Sequence, residues 1–553
     1  MNILSDVNRR RFLRLGAAGG AGFLAEDWSA LSRTSTTIQA SVSNETAPWF
    51  EATIPELQTL MTAGKLSSRE LTVGYLHQID RLNPLLHAAI ETNPNAVAVA
   101  TQLDNERHRG RARGPLHGIP VLVKDNIATA DNMQTTAGSL ALMNSKVPGD
   151  APVIAKLRAA GAVILGKANL GEWANFRGFP PTYGWSARGG LTRCPYVLDF
   201  EPWGSSSGSA VGAAANLCAA AVGTETDGSI VGPAGNNAVV GLKPTVGLLS
   251  QDRIIPIAHS QDTAGPMART VVDVAILLGI MQAVPEDYTV YLDRSALKGA
   301  RIGLDVRYFD PSGIGGDSET VSMVNNTVLP LLTSLGAILI PTDTGNCLDY
   351  GNEEFTVLLY EFKIQIAEYL ATLGHNSMRT LADLITFNIA HCPQEMKYFG
   401  QELFEIAEGG ISHSDYVAAR AKCLQLSRVQ GIDKSLNEQQ LDAILAPGFS
   451  WATTPAAVAG YPNIGIPIGF RTEDGMWGIK AHSPTSICLY SGAMQERKLL
   501  AYAYAIEQAL KGRKPPKYLG NVAPGLPDAE ICANLPKTSP GKAGLPHLPR
   551  RRW

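Results

Sequence analysis

The sequence predicts an α/β protein with a mixed or mostly parallel sheet. Short apolar runs at 119–123 and 162–165 are typical of buried strands, and between them Val153, Ile154 and Leu157 follow a helical spacing. Strands that alternate with helices of this length are typical of α/β folds. The 553 residues are 45% apolar and 18% charged, so the chain can bury a large core.

Two motifs near the beginning of this α/β pattern predict the first residues of helices. Thr53 is followed three residues later by Glu56, and Ser67 is followed by Glu70 in the same way. This spacing is the capping box, in which a hydroxyl and a carboxylate satisfy the free amides of the first helical turn. We therefore expect one helix after Thr53 and another after Ser67.

The length leaves the number of domains open. At about 150 residues a domain the chain would hold three or four, but one large domain is also possible. The globular part begins near Trp49, and within it 343–440 is more helical and richer in charge and is predicted to be a variable insertion. The residues 515–553 form a Pro/Gly-rich tail that is predicted to be irregular.

The first 45 residues carry a processing signal and a linker. A basic run with a twin arginine, Asn8 to Arg14, precedes a short apolar stretch of small residues, Leu15 to Ala25. This pattern resembles a bacterial twin-arginine export signal, which a receptor reads and which is not an anchor. The alternative is a basic amphipathic helix of the folded protein. We expect an exported, periplasmic protein, or a cytoplasmic one if that alternative holds.

The charge balance, the hydropathy and the cysteine content exclude several classes of binding partner. The 47 Lys and Arg nearly balance the 50 Asp and Glu, so nucleic acid is not an expected partner. An apolar run of about eighteen residues without charge is absent, so no membrane-spanning helix is expected. The seven cysteines show no metal-binding spacing, and their odd number indicates a free thiol and no disulfide framework. We expect no metal and no cofactor.

The most informative stretch is rich in glycine and serine and covers 203–245. Its middle part, Ala210 to Ala221, consists almost entirely of small apolar residues, which predicts a closely packed helix that ends by Gly223. One serine-bearing loop precedes this element and a second, 224–229, follows it. A rigid element between two such loops is suited to holding catalytic groups.

Three interpretations of the first serine loop compete. Gly204 to Gly208 matches the G-x-S-x-G nucleophile elbow, which would make Ser206 the nucleophile of an α/β-hydrolase, but Asp199 to Trp203 does not look like the strand that this motif needs. A phosphate-binding loop is excluded because no GK[ST] follows. A flexible linker is disfavoured because the loop leads directly into an apolar helix.

Four longer motifs resemble the amidase signature family: GIPVLVKDNI, WGSSSGSA, GTETDGSIVGPA and GLKPTVGLLS. The resemblance extends over 53–515 in the order that the family shows. Within the family, EWANFRG, GWSARGG and TETDGSIV are most similar to bacterial peptide amidases. The resemblance implies that 46–514 form a single domain, with a mixed sheet covered by helices on both faces. It also implies a hydrolase that can remove the C-terminal amide of peptides.

The same resemblance implies a Ser–cis-Ser–Lys catalytic unit. Carried over by motif, Ser229 is the nucleophile, Ser205 is the bridging serine after a cis peptide from Gly204, and Lys124 is the base. The chemistry is reasonable, because a serine hydroxyl needs a neighbour that takes its proton and a buried lysine can be neutral. Asp125 is not expected to pair with Lys124, since adjacent strand residues point to opposite faces.

The resemblance also assigns groups around the reacting carbonyl. The backbone amides of Thr226, Asp227, Gly228 and Ser229 would hold the oxyanion, and Ser206 would hydrogen-bond within the Ser–Lys network. Whether the Asp227 side chain is structural or binds a substrate amine is left open.

The resemblance is weaker where the substrate pocket would be closed. Ser486 stands where the family usually has a glycine, and 343–440, which commonly shapes the acyl pocket, has no assigned counterpart. Peptide amides, aryl or aliphatic amides and fatty amides all remain candidate substrates. A set of aromatic residues is expected in the core: Trp173, Tyr183, Trp185 and Phe355.

Two further hypotheses of other classes stand beside the amidase. One is the glutamine-amidase subunit of a tRNA-dependent amidotransferase, against which the export signal and the lack of a basic excess argue. The other is an inactive scaffold with the same fold, against which the presence of all three catalytic residues argues. The expected partner is a small-molecule or peptide amide, and the oligomeric state is not predicted.

Overall fold

A sheet of eleven strands forms the centre of the protein. The computed structural model describes residues 47–448, 450–475, 478–520 and 531–532. In chain order the strands are β1 (Ala89–Thr92), β2 (Pro120–Lys124), β3 (Val163–Ala168), β4 (Trp185–Ser186), β5 (Gly190–Leu191), β6 (Ala220–Glu225), β7 (Val240–Lys243), β8 (Thr263–Ala268), β9 (Arg301–Asp305), β10 (Ile338–Thr342), β11 (Ala443–Pro447), β12 (Asn463–Phe470) and β13 (Pro484–Tyr490). The two short strands β4 and β5 pair only with each other.

The sheet is mixed, as the sequence predicts. Its strand order is β1-β3-β2-β6-β8-β7-β12-β13-β11-β9-β10. The strands β3, β2 and β6 run parallel, with Val121 opposite both Ile164 and Ala220, whereas β8 runs antiparallel to β6. Every residue of β2, β3 and β6 is buried, which requires that both faces of the sheet are covered there.

Helices supply that cover. They are α1 (Ile54–Thr62), α2 (Ser68–Leu86), α3 (Ala96–His108), α4 (Pro152–Ala159), α5 (Ser207–Ala214), α6 (Val231–Asn236), α7 (Val271–Met281), α8 (Ser318–Met323), α9 (Leu329–Ser334), α10 (Gly351–Thr372), α11 (Leu381–Ala390), α12 (Cys392–Glu395), α13 (Glu402–Gly409), α14 (His413–Leu424), α15 (Asp433–Glu438), α16 (Thr453–Ala459) and α17 (Glu496–Leu510). The predicted helical character of 343–440 is confirmed by α10 to α15.

Both predicted capping boxes are confirmed. The Thr53 hydroxyl accepts from the amide of Glu56, whose carboxylate accepts from the Thr53 amide at 2.8 Å. Ser67 and Glu70 exchange the same pair of bonds at the start of α2. Two amides without an intrahelical partner are satisfied at each of these helix starts, which are therefore fixed by local sequence.

The predicted helix from Ala210 to Ala221 is wrong in its second half. Helix α5 ends at Ala214, and Ala220 already belongs to the central strand β6. All eight residues of α5 are buried. A run of small apolar residues that is buried on every side shows neither a helical nor an alternating period, so periodicity could not locate the change from helix to strand.

One disulfide corrects the expectation drawn from the cysteines. Cys392, at the start of α12, is bonded to Cys532, which is 140 residues further along the chain. The five other cysteines are buried thiols. The pairing joins the helical region to the C-terminal tail, and a separation of this length leaves no local signal in the sequence.

The predicted export signal lies outside the described residues, as do 521–530 and 533–553 of the predicted tail. Where the chain is described, no helix is long and apolar enough to span a membrane.

Candidate active site

A buried lysine ends strand β2. Lys124 is 0% exposed, and its Nζ lies 2.7 Å from Ser205 Oγ. The same nitrogen donates to the hydroxyl of Thr224 at 2.9 Å and to its carbonyl at 3.0 Å. Because Thr224 is in β6, which runs parallel to β2, the two neighbouring strand ends hold the amine from one side. The predicted contact between Lys124 and Ser205 is therefore present.

Burial decides the protonation of this lysine. It lowers the pKa of Lys124 to about 7, and the acidic groups of Glu225 and Asp262 oppose the shift only in part. A charged amine loses its hydration in such an environment, whereas the neutral amine loses little. Near neutral pH a large share of Lys124 is therefore neutral and able to accept a proton.

The neighbouring acid Asp125 does not pair with Lys124, as predicted from the strand geometry. Its carboxylate accepts from the hydroxyl of Thr136 at 2.6 Å and forms an ion pair with Arg188 at 3.2 Å. Arg188 also pairs with Glu91. The Asp125 carboxylate is therefore paired with groups other than the Lys124 amine.

The first serine loop leads into helix α5. The peptide bond between Gly204 and Ser205 is cis, as the resemblance implied. The Ser205 carbonyl accepts from the amide of Gly171 at 3.0 Å, which fixes the backbone next to the side chain that Lys124 contacts. Ser205 is 0% exposed and does not line the cavity, so a substrate in the cavity would not contact its side chain directly.

The second serine loop connects β6 to α6 and is shaped by Glu225. The Glu225 carboxylate accepts from the amides of Ile230 at 2.6 Å and Val231 at 2.9 Å, which folds the loop back on its own strand. The amide of Ser206 donates to the Ser229 carbonyl at 3.1 Å, so the two serine loops are in direct contact. Within the described part of the chain the Ser229 hydroxyl makes no hydrogen bond. The Ser205 hydroxyl contacts Lys124 but is not hydrogen-bonded to the Ser229 hydroxyl.

Backbone amides at the turn of this loop can bind an anion. Gly228 has a φ of +76°, a left-handed conformation that glycine adopts readily. In the described residues the amides of Thr226, Gly228 and Ser229 donate no hydrogen bond, and all three residues line a cavity. Free amides on residues that line a cavity next to the Ser229 hydroxyl are able to form an oxyanion hole.

The structure gives Asp227 and Ser206 structural contacts. The Asp227 carboxylate accepts from the hydroxyls of Thr453 at 2.9 Å and Thr454 at 2.8 Å, at the start of α16, although the residue also lines the cavity. The Ser206 hydroxyl is fully buried and exchanges hydrogen bonds with the backbone of Thr224. It therefore joins the hydrogen-bond network of Lys124 through Thr224. A nucleophile or a substrate-binding residue would line the cavity, and Ser206 does not.

The cavity has a volume of about 1720 Å³ and is larger than most small-ligand sites. Trp173, Trp185 and Phe355 are buried in the core, as expected, and Phe355 also lies in the cavity wall. Tyr183 is only half-buried and lies in the wall, against the expectation that it is a core residue. Ser486 is buried and outside the lining, and its side chain fills the space above Gly235. Its departure from the family pattern thus leaves the described cavity wall unchanged.

Three residues of the site were not predicted from the sequence. Thr224 accepts a hydrogen bond from Lys124, and Glu225 shapes the loop that contains Ser229. Asn175 lines the cavity, where a Cβ at Gly204 would lie 2.8 Å from its side-chain nitrogen. An acid at the end of an otherwise apolar strand was a usable signal for Glu225. Asn175 lies 29 residues before Gly204 in the sequence, so no local pattern connects the two.

Comparison with known proteins agrees with this geometry. The family model described as Amidase matches residues 70–454. A protein described as "Probable amidase" of Arabidopsis thaliana is 41% identical over 493 residues, 85% of this chain and 92% of that protein. One component of the glutamyl-tRNA(Gln) amidotransferase of Halorhodospira halophila is 31% identical over 502 residues, 84% of this chain and 98% of that protein.

Among solved structures, the native peptide amidase from Stenotrophomonas maltophilia superposes with a TM-score of 0.79 at 44% identity. The match covers 85% of this chain and 99% of that chain.

Proposed function

From the premise that this chain belongs to the amidase family, we propose that it hydrolyses the C-terminal carboxamide of peptides through an acyl-enzyme on Ser229. The protein is a hydrolase that acts on amide C–N bonds. The peptide substrate and the roles of the individual residues are the proposal. The observation that carries it is the buried, partly neutral Lys124 in contact with Ser205, whose loop touches that of Ser229.

In the acylation step, neutral Lys124 takes the proton of Ser205 as Ser205 takes that of Ser229. The Ser229 oxygen then attacks the amide carbon, and the negative charge passes to the carbonyl oxygen. Preorganised backbone amides at a developing oxyanion each contribute about 3–4 kcal/mol in comparable acyl-transfer sites. The proton returns along the same route to the nitrogen, the C–N bond breaks, and ammonia leaves.

Deacylation reverses the proton movements. Water loses a proton through Ser205 to Lys124 and attacks the ester carbon of the acyl-enzyme. The proton then returns to Ser229, and the product carboxylic acid is released. The cycle uses side chains, backbone amides and water, with Ser205 as the relay in both halves.

The charge of the cavity supports a peptide amide as the substrate. Nine of its described lining residues are Asp or Glu, and the one cationic residue among them is Arg307. A peptide amide has no terminal carboxylate, so a peptide without ionised side chains carries a net positive charge from its amino terminus. An acidic cavity attracts this substrate and repels the carboxylate that hydrolysis creates.

The same observation separates the peptide amidase from a glutamine amidase. Free glutamine carries an α-carboxylate that needs a cationic partner. Arg307 is already in a two-bond ion pair with Asp343 at 2.5 and 2.7 Å. We expect ammonia release from a dipeptide amide to exceed that from glutamine by at least about 100-fold in kcat/KM, the discrimination typical of an unpaired charge. Equal rates with glutamine would contradict the proposed substrate class.

The pH profile should report the protonation of Lys124. Only the neutral amine can accept a proton, and its pKa is lowered to about 7. We expect kcat/KM for an N-acetylated peptide amide, which has no ionisable amino terminus, to fall about tenfold per pH unit below that value and to level off above it, because kcat/KM reports groups of the free enzyme and the free substrate. Steady-state assays across the range, with an unfolding scan at each pH as control, check this. A flat profile through pH 7 would contradict the role of Lys124 as the base.

Export from the cytoplasm is part of the proposal. The twin arginine at Arg9 and Arg10 motivates it, and the disulfide between Cys392 and Cys532 supports it because such bonds persist in oxidising compartments. Cell fractionation of the wild type and of a double Arg→Lys variant at these two positions tests it. Retention of only the variant in the cytoplasm is expected, and identical distribution of both would argue against the export signal.

A further inference from the structure

Glu201 is an acid in the cavity wall whose carboxylate has no partner among the described residues. It lies four residues before Ser205, is half-buried, and lines the same cavity as Ser229. Its backbone carbonyl is held by the side chain of Asn236 at 3.2 Å. Where the chain is described, no hydrogen bond or ion pair reaches the Glu201 carboxylate.

Other buried or half-buried acids of the cavity have partners, which sets Glu201 apart. Asp317 forms an ion pair with Arg471 at 2.8 Å, and Asp343 is bound by Arg307. Asp227 accepts from two threonine hydroxyls. A half-buried carboxyl with a structural role would be expected to have such partners, because burial of an unpaired charge is costly.

The environment of Glu201 contains what a bound cation would need. Burial alone raises the pKa of Glu201 to about 8, and a cation placed beside it would reverse that shift. The aromatic side chains of Tyr183, Phe200 and Trp203 line the same part of the cavity, and the rings of Tyr183 and Trp203 are 6.2 Å apart between centroids. Aromatic faces attract ammonium and guanidinium groups.

The neighbourhood also excludes a protein cation as the missing partner. Arg307 is the one cationic residue among the described lining residues, and it is engaged by Asp343. A cation that meets Glu201 must therefore arrive with the substrate. Hydrolysis of a carboxamide releases only ammonia, so that cation belongs to the acyl part of the molecule. Glu201 lines the same cavity as Gly204, which precedes Ser205.

We propose that Glu201, with the aromatic rings of Tyr183 and Trp203, forms a subsite for a lysine or arginine side chain of the peptide amide. The proposal rests on the proposed function and adds the substrate class: amides of basic peptides are preferred over otherwise identical neutral ones. Glu201 takes no part in the proton transfers of Lys124, Ser205 and Ser229.

Paired substrates test the subsite. A dipeptide amide that carries lysine at the amidated position is compared with the same compound carrying norleucine, which has a similar length and no charge. We expect the wild type to prefer the lysine compound by about tenfold or more in kcat/KM, and Glu201→Gln to reduce that preference to near unity, mainly through KM. An unchanged preference in Glu201→Gln, or no preference in the wild type, would overturn the proposal.

A matched control separates this subsite from the general acidity of the cavity. Glu473 lines the same cavity but is exposed at its rim. We expect Glu473→Gln to keep most of the preference for lysine. If it lost the preference as completely as Glu201→Gln, the effect would come from the summed charge of the cavity, and the assignment to Glu201 would be wrong.

A binding measurement keeps failure of the subsite distinct from failure of the proposed function. Titration calorimetry of the Ser229→Ala variant with the two dipeptide amides reports affinity without turnover. Tighter binding of the lysine compound that is lost on adding Glu201→Gln supports the subsite even if the wild type releases no ammonia from either compound. Equal affinities would overturn the subsite even in an active peptide amidase.

Discussion

Replacement of Ser229 by alanine is expected to lower kcat for amide hydrolysis by about 10⁴–10⁶-fold, the range seen when a nucleophile is removed from a related serine hydrolase. The residue is 8% exposed at the cavity floor, and its hydroxyl makes no hydrogen bond in the described part of the chain. Loss of this one oxygen should therefore leave the fold intact. Ammonia release from a dipeptide amide measures the loss, and a thermal unfolding scan should show a Tm close to that of the wild type.

Ser206→Ala is the matched control for the nucleophile. It removes a serine from the adjacent loop that would be the nucleophile if the G-x-S-x-G interpretation held. The Ser206 hydroxyl only bonds the backbone of Thr224, so we expect a lower stability, of about 1 kcal/mol, with acylation retained. An inactive Ser206→Ala protein beside an active Ser229→Ala protein would reverse the assignment.

Replacement of Lys124 by methionine is expected to cost about 10²–10⁴-fold in kcat/KM, the usual contribution of a general acid–base group. The amine is 0% exposed, and burial already lowers its pKa to about 7. Methionine has a similar length and no charge to desolvate, which offsets the hydrogen bonds lost to Thr224, so the Tm should change little. Loss of activity without loss of stability is the pattern of a catalytic group, and a strong fall in Tm would indicate a structural one.

Lys167→Met is the control for this result, because Lys167 is also 0% exposed and its pKa is lowered to about 8. It donates to the hydroxyl of Thr135 at 3.0 Å and to the carbonyl of Ile127, and it makes no hydrogen bond to Ser205 or Ser229. By the same reasoning we expect a Tm close to that of the wild type, with kcat/KM within about tenfold of the wild-type value because the group lies outside the proton-transfer route. Equal losses of activity in both variants would mean that the loss is not specific to Lys124.

Local and motif-borne features could be predicted from the sequence. The capping boxes at Thr53 and Ser67 depend on residues three positions apart, and both are present. Burial of Lys124 followed from the apolar run before it. The cis peptide before Ser205 followed from the resemblance. Each of these features is carried by a short continuous segment, so no knowledge of distant residues was needed.

Features that depend on distant parts of the chain were missed. The bond between Cys392 and Cys532 joins segments 140 residues apart. Tyr183 lies in the cavity wall because of how its loop packs. The boundary between α5 and β6 is hidden in a run of small residues, since burial on all sides removes the periodicity that distinguishes helix from strand.

Partitioning of the acyl group between water and hydroxylamine tests for the acyl-enzyme itself. A dipeptide amide and the methyl ester of the same dipeptide would form the same acyl-enzyme on Ser229, since only the leaving group differs. We expect the same ratio of hydroxamate to free acid from both substrates, and neither product above background with Ser229→Ala. A ratio that differs between amide and ester, or an amide that yields acid and no hydroxamate, would contradict an acyl-enzyme route.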